Sequence, residues 1–159
     1  MRNRSKYARV ATIEAASVDY ELRYDPKNRV LLVLMGRTVT KASASAAQNA
    51  EQRFVAVEGP CSVIADLSAI ETEEVPGYFI RSLARAPSAI PSGKWLILVA
   101  PQTLIYGLSR MFHLWRDEAA NHKIVRTLEE GYALLGLEAQ DFRTVGGAAE
   151  KAGGTWCRR

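Results

Sequence analysis

No apolar run in this chain exceeds about six residues, the longest being Val30–Met35 and Trp95–Ala100. A bilayer-spanning helix takes about twenty, so no membrane span is expected. Cysteine is nearly absent: Cys61 falls inside a strand-like run and Cys157 in the last three residues. That distribution excludes a disulfide framework and a cysteine metal clamp, and it leaves Cys61 as a small core residue. The two histidines, His113 and His122, lie nine residues apart without HExxH spacing, so neither reads as a metal ligand. The chain also lacks a GxSxG nucleophile elbow, a GxxxxGK[ST] phosphate loop and a GxGxxG turn. No catalytic residue, metal or cofactor is therefore assigned, and the chain is not expected to be an enzyme.

What is present is the composition of one ordinary domain: 159 residues, 48% apolar and 24% charged. The net charge of +4 is confined to the ends. Arg2, Arg4, Lys6 and Arg9 put four positive charges in the first eleven residues, and Lys151, Arg158 and Arg159 against Glu150 leave two more at the end, so the middle carries a net −2. A nucleic-acid groove binder concentrates Lys and Arg on one face of an ordered element, and no such run occurs; a nucleic-acid partner is not expected. The basic start is followed by no apolar h-region or small-residue cleavage site, so the expected location is the cytoplasm.

Residues 18–25 alternate strictly, with Val18, Tyr20, Leu22 and Tyr24 on one face and charges on the other, the pattern of a strand wet on one side. Asp25-Pro26-Lys27-Asn28 is a turn, and Val30–Met35 is apolar at every position, as a strand covered on both faces is. A half-exposed first strand also leaves room for a homodimer. Thr40 is an N-cap for a helix to about Val57, with a stripe of Ala42, Ala46, Ala50, Phe54 and Val57. Two more buried strands, 62–66 and 95–100, each precede a helical pattern, Val75, Tyr78, Phe79 and Leu83 after the first and Leu104, Leu108, Met111, Phe112 and Trp115 after the second. Lys123–Arg126 is a last short strand, and Thr127 with Glu130 forms a capping box opening a helix that ends near Gly136. The order β-β-α-β-α-β-α-β-α gives an α/β fold, a mixed, mostly parallel sheet of about five strands flanked by about four helices. Residues 1–17 are weakly patterned, 18–137 form the domain, and 138–159, rich in glycine, are expected to be a flexible tail.

That order, with Asp66-Leu67-Ser68-Ala69-Ile70 ending the third strand and Gly77 early in the next helix, resembles the STAS domain of sporulation-type anti-sigma-factor antagonists and of sulfate-transporter tails. Ala100-Pro101-Gln102 through Tyr106–Phe112, then Val125–Glu130 and Leu134–Leu137, is similar to small bacterial STAS-like proteins grouped with CRAL-TRIO lipid-binding folds. The resemblance spans roughly residues 18–137. In the antagonists a partner kinase phosphorylates a hydroxyl residue just before the glycine. Matched by spacing, Glu74, Val75, Pro76 and Gly77 occupy that helix start, and Pro76 has no hydroxyl, so the phosphoacceptor is lost. The resemblance implies a non-catalytic interaction module in a bacterial cytoplasm, regulatory through protein contact around Glu74 to Gly77. Its alternative is a carrier of a small anionic or lipid-like ligand, held in an apolar cleft to which Tyr78, Phe79, Met111 and Phe112 contribute.

Ser68 and Thr72 are the hydroxyls left near the lost phosphoacceptor, with strand or capping roles as the plainer account of each. Glu71, Glu73 and Glu74 crowd the same helix start, where acids are stabilised by the macrodipole without any function. Tyr106, Arg110 and His113 fall three or four residues apart beside the apolar stripe, a spacing that lets Arg110 grip a carboxylate or phosphate. An ion pair with Asp117 is the simpler alternative for that arginine.

Overall fold

The computed structural model describes residues 19–116 and 121–147. The hairpin arms are β1 (Tyr20–Asp25) and β2 (Val30–Met35), antiparallel from Tyr20↔Met35 to Asp25↔Val30. Beyond them run β4 (Ser62–Asp66), β6 (Trp95–Val99) and β7 (Asn121–Val125), each parallel to its neighbour. A sixth strand, β8 (Arg143–Gly147), pairs antiparallel with the outer side of β1, giving the order β7-β6-β4-β2-β1-β8. A separate parallel bridge joins β3 (Thr38–Val39) to β5 (Thr72–Glu73). The helices are α1 (Lys41–Glu58), α2 (Gly77–Arg85), α3 (Thr103–Trp115) and α4 (Leu128–Leu134). The fold is thus α/β, with a mixed, mostly parallel sheet of six strands and four helices. No helix among the described residues is long and apolar enough to cross a membrane.

Side chains of a strand alternate between the two faces of its sheet, and here both faces are dry at the centre. Leu31, Val33, Val63, Leu96 and Leu98 meet α1, α2 and α3, with Phe54, Ile80 and Ile105 as helix partners. Val30, Leu32, Ile64, Ile97 and Val99 meet the other layer, where Leu128, Tyr132 and Phe142 provide the cover. Leu31, Val63, Ile64 and Ile97 are fully inaccessible, and each such side chain contributes about 1.5–3 kcal/mol of burial. The all-apolar runs are therefore interior strands. Along β1 only Tyr20, Leu22 and Tyr24 join the helical face, while Glu21 and Arg23 pair on the other at 2.7 Å.

Two sequence expectations about the helices hold in part, for Ala50 and Phe54 in α1 and for Leu108, Phe112 and Trp115 in α3. In α1 the buried side chains are Ser43, Ala47, Ala50, Phe54 and Val55, whereas Ala42 and Val57 face solvent. In α3 the buried pair is Ile105 and Ser109, and Leu104 is exposed. The caps follow the sequence more closely. Thr40 accepts from the Ser43 amide and Ser43 Oγ accepts from the Thr40 amide, a reciprocal box. Thr127 Oγ1 accepts from the Glu130 amide, but the Glu130 carboxylate reaches one residue further back, to the Arg126 amide at 2.9 Å.

The loose tail expected from residue 138 is corrected for Arg143–Gly147, which form β8. Glycines and charges hide the strand in the sequence, because β8 is an edge whose side chains need little burial. The connection into β8 is fixed by Asp25, which has no accessible surface. Its carboxylate accepts from the Asn28 amide at 3.1 Å, Asn28 Nδ2 at 2.6 Å and the Asp141 amide at 3.2 Å, so one side chain closes the hairpin and anchors the final strand. Residues 1–18, with the weakly patterned segment, and 148–159, the rest of the expected tail, lie outside the described residues.

Burial pushes the Asp25 carboxyl upward, but the hydrogen bonds from Asn28, Asp141 and Lys27 outweigh it and hold the group below its ordinary value. Asp25→Ala orphans three donors and is expected to cost about 2–3 kcal/mol at neutral pH in urea unfolding. The carboxylate's contribution is in full force above the ordinary value of 3.8 and is lost as pH falls through the lowered one. Wild type and variant therefore converge in strong acid; an unchanged gap there, or none at neutral pH, would contradict the clamp.

Candidate functional site

The segment from Asp66 to Gly77 leaves the carboxyl end of β4, where open α/β sheets place their ligands. Asp66 Oδ1 accepts from the Ser68 amide at 3.0 Å, turning the chain out of the strand. Gln102, at the start of α3, donates through Nε2 to the carbonyls of Ser68 and Ile70 at 2.8 and 3.1 Å. Further on, the Glu71 and Thr72 amides both donate to the Arg37 carbonyl, and Glu74 donates to Val39. The loop is thereby strapped down, and its side chains sort by side. Leu67, Ile70, Glu73 and Val75 line an interior cleft, while Ser68, Thr72 and Glu74 are exposed.

Pro76 is the half-buried N-cap of α2, with φ −69° and ψ 151°, and offers no side-chain cap. Gly77 follows as the first helical residue; an added Cβ would meet only the Met111 methyl at 3.5 Å, so packing does not demand glycine. The acidic cluster is held by structural partners. Glu71 pairs with Arg37 at 2.8 Å, and the Glu73 carboxylate accepts from the Val75 amide. Among the described residues no group of three or more His, Cys, Asp or Glu side chains converges to hold a metal.

The interior cleft lies between α1, α2 and α3 and the carboxyl ends of β2, β4 and β6. It measures about 180 Å³, and its only polar side chains are Glu73 and Ser109. Met35, Val39 and Leu98 floor it, and half-buried Ala44, Leu83, Leu108 and Phe112 give it a mouth. Of the four side chains expected in such a cleft, Phe112 alone lines it; Phe79 packs into the core beside it and Tyr78 is 68% exposed on the outside. The thiol of Cys61, buried in the same core, is pushed up to about 11 by burial, which removes it as a nucleophile at neutral pH.

Tyr106 and Arg110 lie elsewhere, on the opposite side of α3. With His113 and Leu114 they face His122, Lys123 and Ile124 of β7 across a second cleft of about 330 Å³. Tyr106 is covered by the Arg126 guanidinium, 3.8 Å above its ring. His113 and His122, nine residues apart, meet there: their rings are nearly parallel at 15°, with centroids 4.3 Å apart and Nδ1 against Nδ1. The helix-to-strand return between parallel neighbours produces this meeting, and no local spacing rule contains it. Asp117, the alternative partner for Arg110, is outside the described residues.

His122 Nε2 is buried without a partner. An orphaned buried N–H is rarer than an under-used acceptor, which places the proton of neutral His122 on Nδ1. Set against family models, curated proteins and solved structures, the chain matches none.

Burial, with the charges of His113 and Arg116, lowers His122 from 6.5 to about 3. The unfolded chain thus binds a proton that the folded chain refuses, so His122 is expected to reduce stability progressively as pH falls from 6.5 toward about 3. Ring-proton NMR should find His122 neutral at pH 5, and His122→Gln should flatten the acid limb of the stability profile. An ordinary titration midpoint for that ring would refute the assignment.

Proposed function

We infer that this chain is a non-catalytic binding module that takes a small apolar, lipid-like molecule into the cleft between α1, α2, α3 and the sheet. The observation that carries the reading is the cleft itself, about 180 Å³ bounded by apolar side chains save Glu73 and Ser109. An open apolar cleft leaves its lining to water, and an apolar ligand that covers it gains about 25 cal/mol for each Å² removed from water. A dry apolar cavity of about 150 Å³ takes up benzene, so a ring or a short alkyl chain fits here. The position, at the carboxyl ends of parallel strands, supports the same reading. So does the resemblance to STAS-like proteins grouped with CRAL-TRIO folds.

Octanoate titrated into the protein is expected to shift the methyl resonances of Ile80, Leu98 and Ile105. Ala44→Phe, which fills the mouth from α1, should weaken binding at least tenfold, about 1.4 kcal/mol, without lowering the thermal midpoint. Unchanged affinity in that variant, or no methyl shifts in the wild type, would sink the proposal.

Regulation through protein contact is the second reading, and Tyr78 favours it. That ring is 68% exposed beside exposed Glu74, with Lys41 Nζ 5.8 Å from its centre. Pro76, half-buried at the start of α2, has no hydroxyl, so contact at this face would be read without phosphorylation. A partner retained by the wild type should be retained at least fivefold less by Tyr78→Ala with Glu74→Lys; equal retention excludes this face.

A further inference from the structure

The second cleft, between α3 and β7, has the chemistry of an anion site. We propose that it binds a phosphate-bearing ligand, with Arg110 and Lys123 neutralising the phosphate and the Nε2–H of His113 adding a hydrogen bond. Both cations are exposed, and the three ion pairs among the described residues lie elsewhere, at Arg23–Glu21, Arg37–Glu71 and Arg143–Asp141. No carboxylate among the described residues lines the cleft. Arg126 over Tyr106 and Arg116 over Phe112 extend the positive field on either side. A planar guanidinium matches phosphate through two parallel N–H bonds, and charge-assisted bonds of this kind are about twice as strong as neutral ones.

The Nδ1 of His113 is turned toward His122, so Nε2 is the nitrogen that the exposed ring of His113 leaves to meet an anion. The plainer account of Lys123 is protection of the β7 edge, and that of Arg110 is a solvated helix residue. Neither accounts for two cations and an oriented imidazole around one concavity. The cleft, about 330 Å³, exceeds a bare phosphate, and Ile124 with 75%-exposed Leu114 gives the rest of it an apolar wall. The ligand is therefore a phosphate carrying an apolar group, either a small phosphate monoester or a lipid headgroup with its chains beside Leu114.

The two sources are separated by two arms on the full chain. In the first, phenyl phosphate is titrated against inorganic phosphate and followed by amide NMR. In the second, phosphatidylcholine vesicles with and without phosphatidic acid are sedimented with the protein. A small ester is indicated by shifts at residues 106–114 and 121–124, with phenyl phosphate binding tighter than inorganic phosphate. A headgroup is indicated by cosedimentation that needs phosphatidic acid. In either case Arg110→Gln should weaken binding about tenfold and Lys123→Gln at least threefold, while Arg85→Gln on α2 leaves it unchanged. All three residues are exposed, so the variants fold. Binding in neither arm, binding indifferent to Arg110→Gln, or shifts confined to other basic residues would overturn the proposal. The octanoate experiment reads the opposite side of α3, so the two sites fail or stand independently.

Discussion

Burial of both faces of β2, β4 and β6 is the constraint from which the rest follows. A strand apolar at every position cannot leave either face to water, so the sheet must be sandwiched. Three helices cover one side and α4, with the segment running to Phe142, covers the other. Right-handed crossovers between parallel neighbours then dictate where each helix begins, at the carboxyl end of the strand before it. The loops that could carry function are thereby gathered at one end of the sheet.

At the hairpin, a polar group performs the equivalent task. Asp25 is wholly inaccessible, yet it is the residue to which the Asn28 turn and the Asp141 backbone both attach. A buried carboxylate is tolerated only where its oxygens are satisfied, so the side chain specifies a single arrangement of three segments. Arg29, with φ 53°, completes the hairpin and reaches the Pro60 and Glu58 carbonyls at the end of α1. The antiparallel entry is thus tied to the first crossover as well as to the final strand.

α3 separates two clefts. Ile105, Leu108 and Phe112 turn toward the apolar cleft, and Tyr106, Arg110 and His113 toward the basic one. The helical period makes this possible, because residues three and four apart share a face. One helix therefore borders an apolar cleft at the sheet's carboxyl end and a basic cleft at its edge. The rim of the first is formed by the loop whose outward side chains, Ser68, Thr72 and Glu74, stay in water.

Periodicity by itself determined the interior strands, the positions of the helices and the caps at Thr40 and Thr127, because these depend on neighbours in the chain. Alternation also marked Tyr20, Leu22 and Tyr24 as the inward side of β1, and spacing grouped Tyr106, Arg110 and His113. In the α1 stripe Ala50 and Phe54 turn inward while Ala42 and Val57 do not, since alanines populate several faces and only packing selects one. β8 was invisible for the opposite reason: an edge strand of glycine and charge carries no hydrophobic signal, and its place depends on hydrogen bonds to β1 and on Asp25. Tertiary structure alone decided that His113 meets His122, that Tyr78 faces out while Phe112 faces in, and that two clefts flank α3. Their geometry is set by how helices settle on a twisted sheet, which no local pattern encodes.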